Sequence, residues 1–475
     1  MYKFIWFRND LRLEYNNIFN VIENHEKLIP IFILDSRFFN QGLGDLRKDF
    51  LYSCINSLQN EIDKNGSELL LIKGNPEQVW TEIAKNFAIK VYASKDYSPF
   101  SKNRDSKVSL ALKKYNADLE LIKNNLDIFL ESELKTKSGE YYKIFTPFKN
   151  EFFKKIKANI ASRKLKNNKK LVSKSEIQSI KKILKNLDFI DINQLSFKHN
   201  QNFPGGEKEA VKRWNDFKNT ELQNYHINRN FLFINGTSKL SPYLKFGCIS
   251  SIQIAIDCLD LMENATTKDG SEAFLSEIIW REFYKYILEH FPYVEKSSFQ
   301  EKFKSIKWLE DKDLFNLWCT GQTGYPIVDA CMRQLNSIGW MHNRGRMIVA
   351  SFLCKDLHIN WQWGEFYFKQ KLIDYDLSSN NGGWQWSAGT GTDAAPYFRI
   401  FNPIEQSKKF DPDGIFIKQW IPELENVPKR FIHSPWEMDI KTQQKHTCII
   451  GKDYPKPIVD HNEARKITLD LYKNI

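Results

Sequence analysis

Lys3-Phe-Ile-Trp-Phe7 is a short apolar run set directly against the charged stretch Arg8-Asn-Asp-Leu-Arg12, and Leu28-Ile-Pro-Ile-Phe-Ile-Leu34 is a second run of the same kind. Neither alternates with polar residues, so both predict strands buried on two faces, as in a parallel sheet covered by helices on each side. Glu68 to Lys73, Lys90 to Ala93 and Leu119 to Ile122 read the same way. Helix-length segments lie between them, near Asp45 to Lys64, Pro76 to Phe87 and Ser101 to Tyr115. Strand and helix in alternation predict a doubly wound parallel sheet with right-handed crossovers, an α/β domain over residues 1–130. No Gly-x-Gly-x-x-Gly follows any of these strands, which argues against a dinucleotide held there in the usual way.

Beyond this block the composition changes. Lys154 to Lys185 is rich in Lys, Asn and Ser, includes Arg163-Lys-Leu-Lys-Asn-Asn-Lys-Lys170, and has little apolar periodicity before Ile177. It predicts a basic interdomain linker within residues 131–200 rather than a nucleic-acid-binding arm. Residues 201–475 carry long amphipathic stretches, among them Gly206 to Asn219, Ile252 to Met262, Ser271 to His290, Ile327 to Ile338 and Glu365 to Leu372, and predict an all-α domain. Eleven of the 13 Trp fall in this second part. Aromatic residues make up 14% of the chain, more π surface than core packing needs, which suits a flat ring or base as ligand.

The net charge of +11 favours polyanions, although a generally Lys-rich surface would give the same sum. The seven cysteines are scattered and contain no Cys-x-x-Cys pair, so neither a disulfide framework nor a zinc cluster is indicated and a reducing cytoplasm is expected. Lys3, Arg8 and Asp10 interrupt any signal-peptide core, and no run reaches transmembrane length.

Four segments could carry chemistry. In Gly236-Thr-Ser-Lys-Leu-Ser-Pro-Tyr-Leu-Lys-Phe-Gly247, Ser241 before Pro242 predicts a helix N-cap whose free N–H groups suit a phosphate. An ordinary capped helix reads identically. Ser276-Glu-Ile-Ile-Trp-Arg-Glu-Phe-Tyr284 places Glu277, Trp280, Arg281 and Tyr284 on one helical face, either around a flat hydrogen-bonding ligand or as a surface pair of Glu277 with Arg281. In Gly339-Trp-Met-His-Asn-Arg-Gly-Arg-Met347, His342 has no second His at metal spacing, and Arg344 and Arg346 lie beside Trp340 as in DNA contacts. In Asp374-Tyr-Asp-Leu-Ser-Ser-Asn-Asn-Gly-Gly-Trp-Gln-Trp386 the two acids read as a helix cap and an Arg partner more readily than as a metal site. The paired glycines there would allow close approach of a ligand.

Together with Trp6-Phe-Arg-Asn-Asp-Leu-Arg12 and Gly324-Tyr-Pro-Ile-Val-Asp-Ala330, these motifs resemble the photolyase and cryptochrome family, and within it the class I cyclobutane pyrimidine dimer photolyases. The resemblance spans nearly the whole chain. It implies an antenna-chromophore domain at the N-terminus and a helical domain that binds FAD, active when reduced. Tyr225, Thr237, Ser238, Lys239, Leu240 and Ser241 would lie near the cofactor's phosphates, with Arg281, Asn343, Arg346, Asp374, Tyr375, Asp376 and Asn380 completing the pocket. Asn380 would face the flavin with a neutral amide, and Trp384, Trp361 and Trp308 would form an electron relay to the surface.

In the family, a dimer flipped out of UV-damaged DNA is split by an electron from light-excited reduced FAD, which then returns. Glu277, Trp280, Asn343, Met347 and Trp386 would line the dimer cavity, and Arg229, Arg344, Arg399 and Lys409 would contact DNA. The resemblance separates relatives as well. A (6-4) photolyase would carry His at 343 and 347, and a DASH cryptochrome Gln at 347 and Tyr at 386; this chain has Asn343, Met347 and Trp386. The antenna, a folate (methenyltetrahydrofolate) or a deazaflavin, stays open, since Ser94 to Asp105 and Tyr15 depart from the folate-binding pattern. A monomer with no membrane partner is expected. The alternative is a blue-light photoreceptor of cryptochrome type that keeps FAD without repair.

Overall fold

The structure is a computed structural model, and it describes residues 1–474 except 24, 36, 38–43, 124–133, 162–169, 196 and 199. The predicted boundary at residue 130 and most of the basic run from Arg163 lie outside the described residues.

Six strands form one sheet: β1 (Tyr2–Phe7), β2 (Leu28–Leu34), β3 (Leu70–Lys73), β4 (Ile89–Ser94), β5 (Asp118–Ile122) and β6 (Asp188–Phe189). Their order is β5-β4-β1-β2-β3-β6, and all pairings are parallel except β3 with β6. Every residue of β2 is buried, as its unbroken apolar run requires. The crossovers run through α1 (Asp45–Lys64), α2 (Pro76–Asn86) and α3 (Pro99–Lys113). Asn75 and Ser98 cap α2 and α3 through their side chains, each followed by Pro at the first helical position, so these helix starts are set locally. Trp80 of α2 seats its ring edge-on to Phe4 and Trp6 at 5.4 and 5.7 Å, which locks helix to sheet.

Part of the stretch read as linker forms regular structure instead. Phe145–Ala161 is a helix, α4, and Lys174–Ile183 another, α5, opened by a capping box of Ser173 and Glu176. Val172, Ile177, Ile180 and Leu184 join the sheet's core, and β6 adds a strand. Their apolar spacing was diluted by the surrounding lysines, whose solvated heads leave the buried face narrow.

The chain folds as two compact units, Met1–Tyr225 with Ser238–Pro292, and His226–Thr237 with Tyr293–Ile475. The first unit holds the sheet layer together with α6 (Glu207–Thr220), α7 (Ser241–Lys245), α8 (Ser251–Leu261) and α9 (Lys268–His290). The loop after β1 is built into it. Leu11 N–H donates to the Phe246 carbonyl, and the buried Arg12 donates to the carbonyl of Gly247, both at 3.0 Å. Gly247 has φ +63°, and a Cβ there would sit 2.0 Å from the Asn9 carbonyl oxygen, so only glycine fits.

The second unit is helical: α10 (Lys312–Thr320), α11 (Pro326–Ile338), α12 (Asn343–Lys355), α13 (Trp361–Lys371), α14 (Leu377–Ala388), α15 (Pro403–Phe410) and α16 (His461–Lys473) are its main elements. Trp318, Trp361 and Trp384 lie in its core with Val328, Leu335, Phe352 and Leu353, so core packing accounts for part of the tryptophan excess. Among the described residues no helix is long and apolar enough to cross a membrane.

Candidate functional site

The residues singled out in the sequence divide between the two units. In the first unit, α9 presents Glu277, Trp280 and Arg281, all half-buried. Arg281 donates Nη2 to the Leu244 carbonyl of α7 at 3.0 Å and approaches Glu282 at 3.5 Å, which ties α9 to the segment Ser238–Lys245. That segment is tighter than predicted. Ser241 is the first residue of α7 and not its cap; Leu240 occupies the cap position in a helical conformation, and the Ser238 hydroxyl accepts from Leu240 N–H at 3.3 Å instead. Pro242 at the second helical position is as well tolerated as at the first, and this shifts the start by one residue. Lys239 stands in the left-handed region at φ +51°, a strained conformation for a side chain of its length. Burial lowers its pKa, assisted by the positive charge of Arg213. Tyr225 is buried, edge-on to Phe274 and Phe217 at 5.1 and 5.7 Å.

One face of the Trp280 ring is already covered. Phe145 of α4 stacks on it at 3.6 Å and 10°, leaving a single face for a ligand. Nothing in the local sequence pairs Phe145 with a residue so far along the chain.

In the second unit Arg346 and Asp374 form the expected ion pair, Nη2 to Oδ2 2.7 Å, with the Asp374 side chain 1% and the Arg346 side chain 27% exposed. Asp376 caps α14, accepting from Ser379 N–H at 3.2 Å, so one acid serves as a helix cap and the other as an Arg partner. Tyr375 lies between them, half-buried. Asn380 is buried and donates its amide to the Glu365 carbonyl at 3.1 Å, which leaves its side-chain oxygen to accept. Beside it Asn381 donates to the Glu365 carboxylate at 3.2 Å. Burial pushes the Glu365 carboxyl up to about 7, against the opposing hydrogen bond from Asn381. Glu365 escaped the sequence reading because it stands on α13, one helix away from the asparagines it serves. The paired glycines fall inside α14, and a Cβ at Gly383 would meet nothing within 4 Å.

Trp384 is wedged against α13: a Cβ on Gly364 would sit 2.1 Å from its ring. Trp361 opens that same helix, and Trp308 lies at 6.4 Å from the Tyr472 ring. Trp318, not singled out earlier, packs edge-on to Trp384 at 6.0 Å. His342 caps α12, its Nδ1 accepting from Arg344 N–H at 3.1 Å, and Asn343, exposed, donates to the Met347 sulfur at 3.8 Å. Trp386 and Thr237 are half-buried.

Arg344 gathers a basic group. It donates to Asn230 at 2.6 Å, its guanidinium covers the Phe410 ring at 4.2 Å, and Lys409 lies over the same ring at 5.4 Å. Burial, with repulsion from Arg229, lowers the Arg344 pKa. Arg399 stands apart on the loop between α14 and α15, its side chain exposed.

Nine buried side-chain polar atoms of this unit make no hydrogen bond among the described residues, and two of them stand beside these groups: Asp374 Oδ1, an acceptor, and Trp384 Nε1, a donor. Such groups each cost about 1–3 kcal/mol unless a bound molecule satisfies them. An acceptor beside a paired Arg, a neutral amide oxygen and tryptophan surface fit a large aromatic cofactor with its own N–H and O–H groups.

A family model described as the FAD binding domain of DNA photolyase matches residues 274–474, and one described as DNA photolyase matches residues 3–166. A deoxyribodipyrimidine photo-lyase of Alkalihalophilus pseudofirmus is 38% identical over 99% of this chain and 98% of its own length. This chain belongs to the DNA photolyase family. Among solved structures, a bacterial class III photolyase from Agrobacterium tumefaciens superposes with a TM-score of 0.86 at 34% identity, covering 100% of this chain and 97% of that one. A Synechocystis cryptochrome superposes equally well, TM-score 0.86 at 29% identity, covering 99% of both chains. The photolyase fold and its FAD-binding domain are thus established for this chain, and the α/β-plus-helical architecture is as the sequence predicted.

Proposed function

We infer that this photolyase splits cyclobutane pyrimidine dimers in DNA under light, with reduced FAD as cofactor, acting as a monomer in the cytoplasm. The observation that carries this reading is the full-length similarity to a deoxyribodipyrimidine photo-lyase at 38% identity. Reduced FAD, when bound, supplies the photoexcited electron and receives it back, so the reaction has no net redox change.

The chain's own residues have separate tasks. Asp374, held by Arg346, and Asn380, held by the Glu365 carbonyl, offer acceptors to the flavin from rigid positions. Ser238, Lys239, Leu240 and Ser241, with Tyr225 and Thr237, would hold its phosphates. Glu277 hydrogen-bonds the extruded pyrimidine while Trp280, backed by Phe145, and Trp386 flank it with flat apolar surface. Asn343 and Met347 would contact the same pyrimidine. Trp384, Trp361 and Trp308 return electrons to the flavin from solution. Arg229, Arg344, Arg399 and Lys409 take DNA phosphates, which makes binding salt-sensitive and largely independent of sequence.

The test is loss of cyclobutane thymine dimers from UV-treated DNA by protein carrying reduced FAD, under blue light with a dark control. Light-dependent loss is expected. Dimers that survive while the flavin is reducible and DNA is bound would transfer the assignment to a photoreceptor, a reading the Synechocystis cryptochrome neighbour favours as strongly on fold alone.

A further inference from the structure

Lys355 ends α12 with a residue exposure of 1%, yet it carries an ammonium group. Its Nζ donates to the backbone carbonyl of Arg399 at 3.0 Å. Removing an ammonium from water costs several kcal/mol, and one neutral carbonyl does not repay that. A core position that only needed filling would be served better by Met or Leu. The charge is therefore placed where it does something other than stabilise the core.

The loop it holds runs from the end of α14 to the start of α15 and bears Phe398, 63% exposed, and the exposed Arg399. Two further contacts from α16 brace the same loop from inside. The Tyr472 hydroxyl donates to the Ala388 carbonyl at the loop's start, and the Tyr472 ring stacks on Tyr397 at 5.7 Å and 2°. Thr468, on the same helix, donates its hydroxyl to the Lys355 carbonyl, which couples the lysine to this brace. The loop is thus supported at Ala388, at Tyr397 and at Arg399, and the last support is the charged one.

We propose that Lys355 is a positioning residue for DNA binding: by fixing the Arg399 carbonyl it sets where the Arg399 guanidinium stands to meet a phosphate. This rests on the reading of Arg399 as a DNA contact. A buried cation beneath the loop also adds to the positive potential that a phosphate meets above it. The charged neighbours are Asp356, whose Oδ1 lies 2.6 Å from His461 Nδ1, and Arg399 itself. Burial lowers the Lys355 pKa to about 8, opposed by Asp356, so the ammonium form prevails at neutral pH.

The experiment compares wild type, Lys355→Met, Lys355→Arg, Arg399→Ala and the double variant K355M/R399A, all as flavin-loaded protein. The affinity for a dimer-containing duplex is measured from 50 to 200 mM salt, with flavin content and repair rate at saturating DNA as controls. Lys355→Met is expected to weaken binding about tenfold, the low end for a hydrogen bond to a charged group. It should also lower the salt slope by about 1, as loss of one phosphate contact does. Arg399→Ala should do the same, and the double variant should bind no more weakly than either single one, because both remove a single interaction. Lys355→Arg should restore most of the affinity.

If Lys355→Met binds with wild-type affinity and slope while Arg399→Ala does not, the positioning role is overturned. If Arg399→Ala binds like wild type, the reading of Arg399 falls independently. Should Lys355→Met fail to fold, Lys355→Gln, which keeps an N–H donor without charge, carries the same comparison, and unchanged binding there overturns the proposal.

Discussion

Gly364 lies inside α13 with helical backbone, so its value is not conformational freedom but the absence of a side chain. A Cβ at that point would stand 2.1 Å from Trp384 Cη2, 2.5 Å from Cζ3 and 2.6 Å from Leu353 Cδ2. Carbon atoms rest at about 3.5–4.0 Å, so Gly364→Ala requires the Trp384 ring to retreat by about 1.5 Å. It has no room to do so, being boxed in by Phe368 at 5.0 Å and Trp318 at 6.0 Å. Overpacking of this kind costs about 1–3 kcal/mol, against a gain of about 1 kcal/mol in helix propensity. A net loss of up to about 2 kcal/mol is expected, which for a cooperative unit of this size lowers Tm by up to roughly 4–8 °C. Gly383→Ala is the control: it meets no atom within 4 Å, so only the propensity gain of about 0.5–1 kcal/mol should appear. Thermal unfolding followed by circular dichroism reads both. Displacing Trp384 should also slow blue-light reduction of the bound flavin by an external thiol, as Trp384→Phe would. If Gly364→Ala raises Tm as Gly383→Ala does, the wedging of Trp384 against α13 is wrong.

Three further outcomes are expected. Glu365 has its carboxyl raised to about 7 against an ordinary value near 4.5, so the folded state holds a proton that the unfolded state has released between those values. Its contribution to stability is complete at low pH and is lost as pH rises through 7; Tm between pH 5 and 8 should therefore fall less steeply in Glu365→Gln than in wild type, and equal slopes would count against it. Arg346→Met leaves the buried Asp374 carboxylate uncompensated and should cost about 3 kcal/mol with loss of flavin, whereas Asp374→Asn should cost less, because its partner retains access to water. Chemical denaturation with flavin absorbance decides between them. Glu277→Ala should lower the quantum yield of dimer splitting more than the affinity for dimer-containing DNA, and equal losses would refute its role in the bond-breaking step.

Local rules carried far into this molecule. The buried strands were legible because a strand covered on both faces has no polar alternation to hide it, and β2 matches its apolar run residue for residue. The helix starts after Asn75 and Ser98 follow from capping and proline, which act over one turn. The helix cap and the Arg partner read for the two acids correspond to Asp376 at the start of α14 and to Asp374 with Arg346. Ser241 was displaced by one position because Pro suits the first and second helical residues almost equally. The linker reading failed over residues 170–189, where lysine-rich composition masked four apolar side chains of the sheet's core.

The motifs in order along the chain determined the family, and the periods of its apolar residues determined the α/β layer and the helices, since both are properties of neighbours in sequence. Other features arise only when distant elements meet. Phe145 on the ring of Trp280, Glu365 beneath Asn380, Gly364 against Trp384 and Lys355 under Arg399 join residues 15 to 135 positions apart. Each depends on which helix faces which, and that is settled by burial summed over whole surfaces rather than by any local pattern. The sequence names the chemistry; the packing decides which side chains hold it in place.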